Sequence, residues 1–314
     1  MQVAEQEFDH LGLLNPAQRL AAEYGERAEG SKFESGPLLV IAGAGTGKTM
    51  TLAHRVAHLV IEGVDPERIL LLTFTRRAAQ EMTRRVENIV RSSARDAAPL
   101  PSGGLPWSGT FHSIANRLLR RFAHNLGLDP GFSVLDRGDA ADMIDVVRHE
   151  RKLTRTSRRF PKKDTCLAIY SRCVNTQQPL AATLEQTYPW CIDWADELAE
   201  LFRYYVERKQ QSQSLDYDDL LLYWSHLVAE AEFAEEIGGW FDHVLVDEYQ
   251  DTNIVQAQIL NALKPDGRGV TVVGDDAQSI YSFRAAEVEN SLGFPDQYIP
   301  SAQVITLEQN YRST

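Results

Sequence analysis

Lys48, Thr49, Asp247, Glu248 and Gln278 are the side chains of this 314-residue chain from which a reaction can be written. The segment Gly43 to Thr49, GAGTGKT, has the G-x-x-x-x-G-K-[ST] spacing of a phosphate-binding loop. Following Ala42, the turn Gly43, Ala44, Gly45, Thr46 and Gly47 can bring successive N–H groups round an anion, because glycine permits backbone angles that a Cβ forbids. Lys48 then reaches the β- and γ-phosphates. Thr49 offers its hydroxyl to Mg²⁺, and the helix opening there carries partial positive charge. Far along the chain, Asp247 and Glu248 end the run VLVDE. Adjacent acids beside a triphosphate divide the work: Asp247 holds Mg²⁺, often through water, and Glu248 orients and deprotonates the attacking water. The Gln278 amide can bond both the γ-phosphate and that water, and Arg312 can reach a terminal phosphate as an arginine finger. The chemistry is hydrolysis of a Mg²⁺-bound nucleoside triphosphate.

Such a cradle needs a strand in front and a helix behind. Leu38 to Ala42 is an apolar run suited to a strand buried on both faces, and Met50 to Glu62 carries Leu52, Val56, Leu59 and Val60 at helical spacing before Gly63. Arg68 to Thr75 reads as a second buried strand, completing a right-handed βαβ crossover. Val244 to Val246, Val270 to Val273 and Val304 to Leu307 supply further strands, with polar residues at their carboxyl ends, the edge where parallel sheets bind ligands. The fold class is α/β, a P-loop parallel sheet flanked by helices. Near the start, Asn15 caps a helix with Pro16 first and Gln18 three residues after the cap. The Gln18 amide either serves that cap alone or reads an adenine edge. Residues 92–109, rich in Ala, Pro, Ser and Gly, read as a loop. From Asp129 to Ser214 the alternation gives way to amphipathic helical sequence, an inserted all-helical subdomain. The chain then divides as 1–128, 129–214 and 215–314.

A formal charge of −12 excludes a surface that attracts nucleic acid everywhere, so any such contact is local. Thr73 and Phe74 lead into an arginine-rich helix, where Arg76 and Arg77 can meet phosphates and Phe74 can stack on a base; a core Phe beside a solvated helix face fits equally. His112, after another Thr-Phe pair, can donate to a phosphate or cap its helix. Tyr281 and Phe283 beside Arg284 offer rings and charge for a strand of bases. Arg148, Arg151, Lys152, Arg155, Arg158, Arg159, Lys162 and Lys163 face one acid, Glu150, a local charge reversal that suits a DNA contact. Trp190, Trp194, Phe202, Tyr204 and Tyr205 read as the subdomain's core rather than a stacking strip. No apolar run approaches the roughly 18 residues of a membrane span, the first residues lack a signal-peptide pattern, and Cys166, Cys173 and Cys191 match no zinc or disulfide spacing. A cytoplasmic protein with reduced thiols and no membrane partner is expected.

In order, NPAQ, GAGTGKT, TFTRRAAQEM, GTFHS, DYDDLL, VDEYQDTN, VGDDAQSIYSFRAA and LEQNYRST resemble the helicase motifs of the UvrD/Rep/PcrA family of superfamily 1, across nearly the whole chain. The resemblance implies a RecA-like domain that binds ATP and Mg²⁺. In it, Gln18 reads adenine, Tyr311 stacks on it, Gln278 senses the γ-phosphate, Arg312 contacts it, and Phe74, His112, Tyr281 and Phe283 lie along single-stranded DNA. Similar proteins move 3′ to 5′ on one strand and open duplexes at junctions, alongside repair or replication-restart proteins. The resemblance also implies a second RecA-like motor domain beyond Thr314, without which this portion is a weak ATPase. Phe283 stands where Trp is common, Arg76 and Arg77 where Asn-Lys is common, and Ala277 where an acid is frequent. Two other readings share these segments: the motor subunit of a helicase–nuclease recombination complex, and a nucleotide-gated DNA-binding module without unwinding. A small-molecule P-loop kinase would leave the aromatic and basic segments idle.

Overall fold

The computed structural model of the chain describes residues 9–27, 32–93, 100–101, 104–153, 160–275 and 293–310. By its contacts the chain divides into two compact units, one of 1–114, 228–252 and 260–314, the other of 115–227 and 253–259. The second unit is wider than the 129–214 insertion expected from sequence. Its boundaries at 114/115, 227/228 and 259/260 fall inside helices, where no loop composition marks them.

The first unit is organised by a sheet whose strands, numbered along the chain, are β1 (Leu38–Ala42), β2 (Ile69–Thr73), β3 (Trp107–Thr110), β4 (His243–Val246), β5 (Val270–Gly274) and β6 (Gln303–Leu307). Their spatial order is β6-β1-β5-β4-β2-β3, and every pairing is parallel. Parallel strands connected by helices bury both faces, which explains the continuous apolar runs. Leu38, Val40, Leu70, Leu71, Val244, Leu245 and Val272 are all 1% exposed or less. β3 corrects the loop expected over 92–109. The sequence WSGT is short, half-buried at the sheet edge and neither apolar nor alternating, so no period betrays it.

Helix α1 (Pro16–Glu23) opens with the capping box expected at Asn15 and Gln18, both reciprocal bonds being present. Helix α2 (Lys48–Ile61) carries Arg55, 1% exposed, whose guanidinium donates to Ala22 O at 3.2 Å, to Tyr24 O and to Ser35 Oγ at 3.0 Å. It stitches the end of α1 to the segment entering β1. Burial depresses this guanidinium to about 9. Helix α3 (Arg76–Ser93) packs on α2, with Ala79, Met82, Val86 and Val90 on its buried side.

Helix α4 (Phe111–Arg121) carries the chain into the second unit, where α5 (Arg137–Glu150), α6 (Lys163–Thr176), α7 (Leu180–Thr187) and α8 (Ala195–Gln211) enclose Ile144, Ile169, Leu184, Leu198, Leu201 and Tyr205. The expected all-helical subdomain also holds one short parallel ladder, Ser133–Val134 against Ser214–Leu215. Trp194, Phe202 and Tyr204 pack against the core, whereas Trp190 is 69% exposed.

Below that core lies a buried charge cluster. Lys209 Nζ is 2.7 Å from Asp216 Oδ2 and 2.6 Å from Asp219 Oδ2, and the Tyr205 hydroxyl donates to Asp216 at 2.7 Å. Burial alone would depress the Lys209 ammonium, but the two carboxylates overrule it and hold it above its usual range. The backbone N–H of Asp216 donates to the Asp219 carboxylate and that of Asp219 to the Asp216 carboxylate, at the start of α9 (Tyr217–Ala229). Removing the cation from such a cluster strands two buried carboxylates, so Lys209→Met is expected to destabilise the second unit by about 3–5 kcal/mol. Urea titration followed by circular dichroism checks this; a midpoint unchanged from the parent would refute it.

Candidate active site

Three strands that are neighbours in the sheet, β1, β5 and β4, end on one side because they are parallel, and the residues just past their carboxyl ends meet. From β1 the chain enters the cradle. Gly45 and Gly47 take left-handed angles, φ 86° and 89°, and a Cβ on Gly47 would stand 2.6 Å from Gln18 Nε2, so this turn closes only around glycine. Thr46 Oγ1 donates to Gly43 O at 2.8 Å, and Asn310, three residues past β6, donates to Ala44 O at 3.0 Å. Ala42 is the last residue of β1, and Thr49 lies half-buried in the first turn of α2.

Lys48, the first residue of α2, is held between two acids. Its Nζ lies 3.0 Å from Glu248 Oε2, past β4, and 3.3 Å from Asp275 Oδ2, past β5. The Lys48 side chain is 10% exposed and that of Asp275 only 1%, so that attraction is little screened by water, whereas Glu248 is 34% exposed and its pairing is screened more. Glu248 itself adopts φ 52°, ψ 47°, left-handed angles unusual for a residue with a Cβ. Asp247, 6% exposed, accepts the Glu248 N–H at 3.0 Å. Burial, and then the like charge of Glu248, push its carboxyl up to about 6. A buried acid so disfavoured as an anion is one that a divalent cation would stabilise, and with the Thr49 hydroxyl it offers the hard oxygen donors that Mg²⁺ takes.

Gln18 is fully buried. Its oxygen accepts from Asn15 N–H at 3.0 Å and its nitrogen donates to Thr46 O at 2.9 Å, so the amide serves the helix cap and the cradle together. A carboxamide has two N–H groups and two lone pairs, and these two bonds use half of that capacity.

The next strands along, β2 and β3, bring the candidate nucleic-acid residues to the same edge. Thr73 is buried and bonds Thr75 O at 3.1 Å, whereas Phe74, just past β2, is 38% exposed. Arg76 and Arg77 are exposed in the first turn of α3. His112, in the first turn of α4, is half-buried, and burial lowers its imidazole to about 4; near neutral pH it can donate an N–H but carries no charge. Within the basic run, Arg148 is buried and bonds Asp145, Lys163 bonds Asp142, and Arg151 lies 3.0 Å over the Tyr204 ring. Arg148 and Lys163 thus have partners inside the unit, while Lys152 and Lys162 are exposed. Gln278, Tyr281, Phe283, Arg284, Tyr311 and Arg312 lie outside the described residues, as do Arg155, Arg158 and Arg159.

Asp275 was not singled out by sequence reasoning, and neither was Gln250, which donates to Glu248 Oε2 at 2.7 Å. Both belong to motifs noticed for other members. Only the sheet order, which sequence does not state, puts the end of β5 beside the cradle.

Residues 25–299 match the family described as UvrD/REP helicase N-terminal domain. The ATP-dependent DNA helicase PcrA of Staphylococcus epidermidis is 37% identical over 293 residues, covering 92% of this chain and 38% of that protein. Its namesake in Staphylococcus aureus is 36% identical over the same shares. The chain therefore spans well under half the length of these relatives. With a parallel sheet, a glycine cradle at one strand end and paired acids at another, the chain belongs to the UvrD/REP helicase N-terminal domain family.

Proposed function

We propose that this chain is the ATP-binding, N-terminal part of an ATP-dependent DNA helicase that couples ATP hydrolysis to 3′ to 5′ movement along single-stranded DNA and to duplex unwinding. The observation that carries the reading is the Lys48 ammonium lying within 3.3 Å of both Glu248 and Asp275, beside a glycine cradle, with Asp247 adjacent. The Staphylococcus relatives are named ATP-dependent DNA helicases, which supports the coarser part of this reading. DNA repair or replication restart in the cytoplasm is the setting we assign. No helix among the described residues is long and apolar enough to cross a membrane.

Bound ATP with Mg²⁺ supplies the phosphoanhydride and the divalent charge; the chain supplies the rest. The Gly43–Thr49 N–H groups would hold the phosphates, and Thr49 and Asp247 would hold the ion. Lys48, turning from its acids to the γ-phosphate, frees the Glu248 carboxylate to take a proton from water. On the DNA side, Arg76 and Arg77 sit in the first turn of α3, against the helix dipole; phosphates of a DNA strand would offset that repulsion, with Phe74 under a base. A nucleotide cleft that drives movement needs differential contacts in two states, and hence a second wall. The 314-residue chain alone is therefore assigned nucleotide binding with slow turnover.

Lys48→Ala is expected to abolish Mg·ATP binding, and Glu248→Gln to keep binding while slowing hydrolysis by about 10²–10⁴. Calorimetric titration and a phosphate-release assay with and without oligo-dT test both; brisk, DNA-stimulated turnover by the chain alone would contradict its assignment as a slow ATPase. Phe74→Ala is expected to weaken single-stranded DNA binding by about 1–3 kcal/mol at fixed salt, with nucleotide affinity unchanged. Fluorescence anisotropy of labelled oligo-dT reads this, and an unaltered curve removes Phe74 from the DNA path.

A further inference from the structure

Gln250 has no place in the chemistry so far, yet its side chain touches both acids that hold Lys48. It is 4% exposed, in the short 3₁₀ turn Tyr249–Asp251 that follows Glu248. Its Nε2 donates to Glu248 Oε2 at 2.7 Å, the same oxygen that Lys48 Nζ approaches at 3.0 Å. Its Oε1 accepts the backbone N–H of Asp275 at 2.9 Å. The approach to the end of β5 is close: a Cβ on Gly274 would stand 3.3 Å from Gln250 Oε1. The turn itself is fixed by Asp251 N–H donating to Glu248 O at 2.9 Å, so the carboxamide has little freedom to wander.

Resting on the reading under Proposed function, we infer that Gln250 is a positioning residue for the hydrolysis. Its amide N–H keeps Glu248 Oε2 in place once Lys48 has turned to phosphate, leaving the other carboxylate oxygen for water. Its amide oxygen simultaneously fixes the backbone of Asp275, the second acid facing Lys48. One buried side chain thus holds the ends of β4 and β5 in the arrangement that Lys48 reads. Gln250 is 4% exposed and Asp275 1%, so water does not replace the bond between them when it is lost, whereas Glu248, 34% exposed, loses an orienting donor rather than its last partner.

Two variants separate the two ends of the amide. Gln250→Met keeps the length and removes both bonds; Gln250→Glu keeps an acceptor for Asp275 and loses the donor to Glu248. Amide hydrogen exchange on the whole, nucleotide-free chain is the first readout. Exchange at Asp275 is expected to quicken at least tenfold in Gln250→Met and to stay within threefold of the parent in Gln250→Glu, with β1 and β4 protection unchanged in both. Single-turnover hydrolysis of Mg·ATP, with the chain in excess and oligo-dT present, is the second. Both variants are expected to lose tenfold or more, with affinity for Mg·ADP within twofold. In a Glu248→Gln background, Gln250→Met is expected to cost far less than in the parent, which a merely structural role would not produce. Parental exchange at Asp275 in Gln250→Met, or equal losses in both backgrounds, overturns the inference. If Lys48→Ala binds and hydrolyses like the parent, the reading under Proposed function fails instead, and the exchange result still judges the Gln250 contacts.

Discussion

A single ammonium, Lys48, faces two carboxylates, one buried and one partly open to water, and much of the first unit serves to bring those three groups together. They come from residues 48, 248 and 275, so only a fold that returns the chain to one edge can unite them. A parallel sheet does this by construction, since every strand must cross back before the next begins and all carboxyl ends share a side. The order β6-β1-β5-β4-β2-β3 then sets who meets whom: the neighbouring strands β1, β5 and β4 lead into Lys48, Asp275 and Glu248, and the two beyond β4 lead into Phe74 and His112.

The second unit solves its charge problem differently. Lys209 is enclosed with Asp216 and Asp219 at 2.6–2.7 Å, and tyrosine hydroxyls complete the coordination. Here the cation and both acids are at most 8% exposed. At Lys48 the pairing stands at the edge of a glycine cradle and one of its two acids, Glu248, is 34% exposed. The same kind of ion pair is sealed in one unit and partly open to water in the other.

What the sequence made legible follows from how local each signal is. LLVIAGAGTGKT states a buried strand, a glycine turn and a helix within a dozen residues, and the capping box at Asn15 and Gln18 spans only four. The strands β2, β4, β5 and β6 were readable as apolar runs. WSGT was not, because an edge strand of small and polar residues has no period to detect. Nor were Asp275, Gln250 and Lys209 readable as partners, since each acts through residues that the fold, not the spacing, brings near. Asn175 is a further case: it donates to Asp218 at 2.7 Å and accepts from Asn253 at 2.6 Å, across 43 and 78 residues of chain.

The left-handed backbone at Glu248 carries a consequence for how such a chain can change over time. A residue with a Cβ held at φ 52° costs of order 1–3 kcal/mol, and glycine would relieve it. Selection for robustness alone would then favour losing the very carboxylate that faces Lys48. Any search for hardier versions that scores only melting behaviour would drift toward losing that ion pair, because at this position backbone comfort and the Lys48 contact pull in opposite directions.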